Sequence, residues 1–192
     1  MNPHPQIALF DLDGTLADYD GQLLLDLKKL HSYWEPEVEE VFNYMHMPSY
    51  LEARRQMITK QVGWWSKLNR LRLGWDILDA CKIIGFNISI LTKGPSSKSH
   101  AWSEKIDWCN THLKDYIDGV TITHNKGLVY GRVLVDDFPE YILNWLEYRP
   151  RGLVIMPVNK RNISFNHPNV IKYNGMNLEE VDKKLLEAYN RD

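Results

Sequence analysis

Six short apolar runs, at 7–10, 87–91, 120–122, 133–135, 153–156 and 170–173, alternate with stretches of helical periodicity. Runs this short, apolar almost throughout, read as strands covered on both faces. Strands separated by helices predict an α/β fold, a Rossmann-like parallel sheet between two helical layers. Helices are expected over 70–84, closed by Gly85, and over 99–114, 139–148 and 178–190. Pro139 suits a first helical turn. Between the first strand and residue 76 the pattern is helical only. Leu23, Leu24, Leu27, Leu30 and Trp34 recur at helical spacing. Further helices are expected over 37–47 and 50–61, separated by Pro48. The expected organisation is a core of 1–19 and 77–192 with an all-helical cap, 20–76, inserted after the first strand.

In an open parallel sheet, ligands bind beyond the carboxyl ends of the strands. Three polar clusters fall at such ends: Asp11 with Asp13, Thr92 with Lys93, and Asp136 with Asp137. The topology brings them to one edge of the sheet.

Composition removes several alternatives. Lys and Arg number 23 against 25 Asp and Glu, a net charge of −2. Binding to extended nucleic acid normally needs a basic face, so none is expected, although one small phosphate is still admissible. No apolar run is long enough to span a membrane. Residues 1–6 lack the basic and apolar segments of a signal peptide. Cys81 and Cys109 are the only cysteines, which excludes a disulfide framework and makes a reducing, cytoplasmic compartment the expectation. His4, His31, His46, His100, His112 and His167 show no metal-ligand spacing.

Asp11 and Asp13 flank Leu12 at the end of an apolar strand. Burying two carboxylates is costly without a cation. Oxygen-only ligands suit Mg²⁺, which also accepts phosphate oxygens. Gly14 allows the chain to reverse. Thr92 offers a hydroxyl and adjacent backbone N–H groups at a strand end, an arrangement that binds anions. A cation is needed to balance phosphoryl charge. Lys126 and Lys93 compete for that role. Lys126 sits in a loop after a predicted strand, and Lys93 directly follows Thr92, where its backbone N–H is a donor and its side chain a second candidate. Asp136 and Asp137 complete an acidic cluster with the first pair.

The stretch Phe10-Asp11-Leu12-Asp13-Gly14-Thr15-Leu16-Ala17-Asp18 resembles the first motif of the haloacid dehalogenase-like phosphohydrolases. Ile90-Leu91-Thr92, Lys126 and Val133-Leu134-Val135-Asp136-Asp137 resemble the later motifs, in the same order. The resemblance implies a nucleophilic Asp11 that forms an aspartyl-phosphate. It implies that Asp13 is a general acid and base giving its backbone carbonyl to Mg²⁺. Thr92 and Lys126 would hold the phosphoryl group. Asp137 would be the direct metal ligand, with Asp136 acting through water or pairing with Lys126.

Two stretches, from Thr92 through His112 and from Asn125 through Asp137, are similar to the 5′(3′)-deoxyribonucleotidases. That similarity implies a nucleoside monophosphate substrate and a base held between aromatic rings. Tyr19, with Trp64, Trp65 or Tyr44, could supply the rings, and packing between cap and core is an equal role for Trp64 and Trp65. A homodimer is compatible with the similarity. Two positions depart from the group. His124 and Asn125 precede the lysine where an Arg-Asp pair is usual, and Lys93 follows the threonine where serine is common. A phosphorylation-switched receiver domain uses similar residues but carries its acid pair first and its phosphoacceptor later, the reverse of the order here. A phosphatase for sugar phosphates or nucleic-acid ends keeps the same fold.

Overall fold

A computed structural model describes residues 5–38 and 47–191. Tyr44, His4, His46 and most of the helix expected over 37–47 lie outside the described residues. Six strands form one sheet: β1 (Ile7–Phe10), β2 (Asn87–Thr92), β3 (Gly119–Ile122), β4 (Val133–Val135), β5 (Leu153–Pro157) and β6 (Val170–Tyr173). Their order is β3-β2-β1-β4-β5-β6, and every neighbouring pair is parallel. The order reverses direction between β1 and β4, where a crevice opens at the carboxyl ends.

The strands bury both faces, so alternate side chains enter different cores. Ala8, Phe10, Ile88, Ile90, Val133, Val135 and Ile155 join one cluster. Leu9, Leu91, Leu134, Val154 and Met156 join the other. On the first face lie α3 (Arg72–Ile84), α4 (Ser99–His112) and α6 (Leu178–Asn190). They contribute Ile77, Leu78 and Cys81, then Ala101 and Trp108, then Val181, Leu185 and Ala188, all at helical spacing. On the second face, α5 (Pro139–Glu147) contributes Ile142, Trp145 and Leu146. Each fully buried Leu or Ile stabilises by about 1.5–3 kcal/mol relative to exposure. Helix, sheet and helix thus form the three layers of an α/β fold. Cys81 and Cys109 are buried and unpaired. Among the described residues no helix is long and apolar enough to cross a membrane.

The segment after β1 contains α1 (Tyr19–Lys29), α2 (Ser49–Thr59) and a short 3₁₀ turn (Trp65–Lys67). It leaves and returns at one point. Ala17 and Arg70 form an antiparallel bridge. Asp18 N donates to Asn69 O, and Leu71 N donates to Leu16 O, both at 2.8 Å. Helix α1 is shorter than the apolar spacing predicts, and Trp34 lies beyond its end, 88% exposed. A turn stops the helix. Ser32 N donates to the Glu35 carboxylate at 3.1 Å, and Arg54 of α2 binds both Glu35 oxygens at 2.6 and 2.7 Å.

Candidate active site

The crevice beside the switch point is a cavity of about 290 Å³. Asp11 follows β1 directly, and Asp136 and Asp137 follow β4 directly, so adjacent parallel strands place the three acids together. A ligand oxygen from each of Asp11, Asp136 and Asp137 lies within 4.8 Å of the others, and all three residues are buried. Thr92 is the last residue of β2, on the other side of β1. The chain reverses after Asp13 through Gly14, at φ 78°. A Cβ on Gly14 would lie 2.8 Å from an Asp137 carboxylate oxygen, so the close approach of the first and fourth strand ends also requires glycine.

Lys126, in the 3₁₀ turn Lys126–Leu128, reaches into this cluster. Its Nζ donates to Asp11 Oδ1 at 2.6 Å and to Asp136 Oδ2 at 2.7 Å. Burial works against the Lys126 charge, but Asp11 and Asp136 outweigh it and hold the ammonium above its ordinary value. Burial raises the Asp136 carboxyl, opposed by Lys126. Burial pushes Asp137 up to about 8, against the Arg161 charge. Asp137 Oδ2 accepts from Asn159 Nδ2 at 2.7 Å and from Arg161 Nη2 at 2.9 Å. Arg161 also binds Asp20 of α1 at 2.7 Å, which ties the β5–β6 connection to the segment after β1. Asp13 is raised by burial, an effect that Lys105 opposes and Asp11 reinforces.

The structure brings Asp11, Asp13, Thr92, Lys93, Asp137, Tyr19 and Trp65 to the walls of one cavity. Lys126 and Asp136 lie behind the acids, within hydrogen-bond reach of them or of each other. Lys93 is exposed, with its Nζ 5.2 Å from the Tyr141 ring centroid. Trp64 does not line the cavity. Its ring meets Tyr19 edge-on at 5.3 Å, and its Nε1 donates to Asp26 at 2.9 Å. Trp65 lies 5.4 Å from Tyr19 at a tilt of 32° and donates to Thr59 O at 3.0 Å.

Four contributors escape a reading of the sequence. Lys105 of α4 is buried and donates to Asp13 Oδ2, to Thr92 Oγ1 at 3.0 Å and to Lys93 O at 2.7 Å. Its signal was a lysine on the same helical stripe as Ala101 and Trp108. Arg161 lies just beyond the β5 strand end, where the topological rule points. Phe138 and Tyr141, from the start of α5, add aromatic rings to the cavity wall.

The carboxylates Asp11, Asp13, Asp136 and Asp137 thus cluster with the cations Lys105, Lys126 and Arg161, the last shared with Asp20. Such an oxygen-only set, short of positive charge, suits a hard divalent cation.

The family model for 5′ nucleotidase, deoxy (pyrimidine), cytosolic type C protein matches residues 5–175. No curated protein sequence matches the chain significantly. Solved structures share its fold. A haloacid dehalogenase-like hydrolase from Burkholderia xenovorans is 17% identical with a TM-score of 0.56, covering 97% of this chain and 99% of its own. A HAD family hydrolase from Deinococcus radiodurans, with bound phosphate and sodium, is 10% identical with a TM-score of 0.57 over 96% of both chains. A HAD-hydrolase from Bacillus subtilis bound to magnesium is 12% identical with a TM-score of 0.54, covering 95% of this chain and 99% of its own. The chain is a haloacid dehalogenase-like phosphoric monoester hydrolase and belongs to the cytosolic type C 5′-nucleotidase family.

Proposed function

We propose that the chain is a Mg²⁺-dependent nucleotidase that releases phosphate from nucleoside monophosphates through a phosphoryl group carried on Asp11. The observation that carries this reading is the make-up of one cavity. Its walls carry Asp11, Asp13, Asp137 and Thr92 together with the rings of Tyr19, Trp65, Phe138 and Tyr141. Stacking a base on such rings is worth about 1–3 kcal/mol. The matched family supports the same substrate class.

Asp11, Asp136 and Asp137 would hold the metal, with the backbone carbonyl of Asp13. When bound, Mg²⁺ offsets the clustered negative charge and polarises a phosphoryl oxygen. Lys126 binds Oδ1 of Asp11, which leaves Oδ2 for attack on phosphorus. Thr92, Lys126 and the backbone N–H of Lys93 hold the phosphoryl oxygens. Asp13 gives a proton to the departing nucleoside oxygen, then takes one from the water that releases phosphate. In this reading 20–76 acts as a cap over a core of 1–19 and 77–192, and it excludes bulk water from the reaction.

Phosphate release from 5′- and 3′-monophosphates of ribo- and deoxyribonucleosides, alongside sugar phosphates, tests the proposal. Nucleotides are expected to be preferred, with activity lost in chelator and restored by Mg²⁺. Asp11→Asn is expected to lose turnover by several orders of magnitude. A preference for a sugar phosphate over every nucleotide would overturn the substrate assignment.

A further inference from the structure

We propose that Lys105 is a positioning residue for proton transfer: it holds one oxygen of Asp13 and so aims the other at the leaving group. The inference rests on the reading of Asp13 as proton donor. Lys105 has a side chain only 1% exposed, on the inward stripe of α4. An ammonium has three protons to donate. Three acceptors surround this one: Asp13 Oδ2, Thr92 Oγ1 and Lys93 O. Two of the three are neutral, so Lys105 keeps partners whether Asp13 is charged or protonated. The same Nζ stands 5.1 Å from the ring centroid of Trp65, which limits its room to move.

The other oxygen of Asp13 carries a second, independent observation. Oδ1 is buried and has no hydrogen-bond partner among the described residues. A buried carboxylate oxygen without a partner is an exception that calls for a ligand or a chemical role. Oδ2 is taken by Lys105, so Oδ1 is the atom left to meet an ester oxygen or a water. Lys105 fixes which oxygen that is, because the terminal torsion of an aspartate is otherwise broad.

The chemistry then balances as follows. A bond forms between Asp11 and phosphorus while the bond from phosphorus to the leaving oxygen breaks. The proton on Asp13 Oδ1 passes to that leaving oxygen. In the second half, water loses a proton to Oδ1 as its oxygen bonds to phosphorus, and the bond from phosphorus to Asp11 breaks. Lys105 touches none of the reacting atoms and acts through Asp13.

Leaving groups of different basicity test this. The ratio kcat/KM covers only the steps up to departure of the leaving group. A nucleoside alkoxide needs a proton to depart, whereas p-nitrophenolate leaves without one. Lys105→Met is expected to lower kcat/KM for a nucleoside 5′-monophosphate by about 10²-fold. The value for p-nitrophenyl phosphate should change little. Both substrates are assayed on one preparation, so the ratio between them does not depend on how much of the variant is folded. Asp13→Asn should show the same split, and Lys105→Met added to Asp13→Asn should cost little more. Equal losses on both substrates, or full additivity with Asp13→Asn, would overturn the proposal and leave Lys105 a phosphate ligand or a structural prop. If Lys105→Met yields no folded protein, Lys105→Gln is measured in the same way. If the parent enzyme hydrolyses glycerol phosphate but no nucleotide, the nucleotidase reading fails, while the split is still read on that alkyl ester.

Discussion

A carboxyl group buried as deeply as that of Asp137 weakens the fold when it ionises, even beside Arg161, unless a metal cation joins it. Its folded value of about 8 lies above the ordinary 3.8, so the folded chain holds a proton that the unfolded chain has released. Stability from this group is therefore complete below about pH 4 and is lost as pH rises through about 8. In chelator, the melting temperature is expected to fall across that window. Mg²⁺ should raise it, most strongly at the alkaline end, where the metal replaces no proton. Thermal melts at a series of pH values, with chelator and with Mg²⁺, check this, and equal Mg²⁺ stabilisation at pH 5 and pH 8 would contradict it. At this scale the legible residues are those with local signals. Asp11, Asp13, Thr92, Asp136 and Asp137 each sit at or just past the end of an apolar run. Lys105 and Arg161 were hidden because their partners are distant: Lys105 binds Asp13 across 92 residues and Arg161 binds Asp137 across 24. Trp64 and Trp65 look alike in sequence, yet only Trp65 lines the cavity, and the two rings stand at 85° to one another.

Helix α3 packs against the first motif more closely than a side chain allows. A Cβ on Gly74 would lie 1.9 Å from the backbone oxygen of Thr15. Gly to Ala inside a helix ordinarily stabilises by about 1 kcal/mol. Here the sign reverses. Gly74→Ala is expected to destabilise by about 1–3 kcal/mol or more, because backbone must move, and to lower activity by shifting the Asp13–Thr15 turn. Chemical denaturation and phosphate release on the variant check both effects, and a gain in stability would refute the contact. Element boundaries were legible where packing periodicity decides them, as in α6, expected and found over 178–190. They drifted where a polar contact decides them. Helix α3 starts at Arg72 rather than 70 because Arg70 pairs with Ala17. Helix α1 stops at Lys29 because the Glu35 turn captures the chain.

The segment between β1 and α3 and the sheet share one apolar core. Leu23, Leu27, Ile58, Trp64 and Trp65 belong to the same buried cluster as Ala8, Phe10 and Ile90. Polar contacts add to it: Glu104 of α4 accepts from Gly63 N at 2.7 Å and Trp65 N at 3.0 Å. A single cooperative unfolding transition is expected, with tryptophan fluorescence and far-ultraviolet dichroism coinciding in denaturant. Two separated transitions would mean that the segments fold independently. The alternation of strands and helices made a parallel sheet legible, along with the edge where the acids meet. The strand order was not, since it depends on which crossovers turn back, and no single run encodes that. The neck at Ala17 and Arg70 has a wider meaning. Because the two ends of the excursion are clamped side by side, the entropy of closing it depends only weakly on its length. An excursion of another length joined at this neck is expected to leave the strand register unchanged.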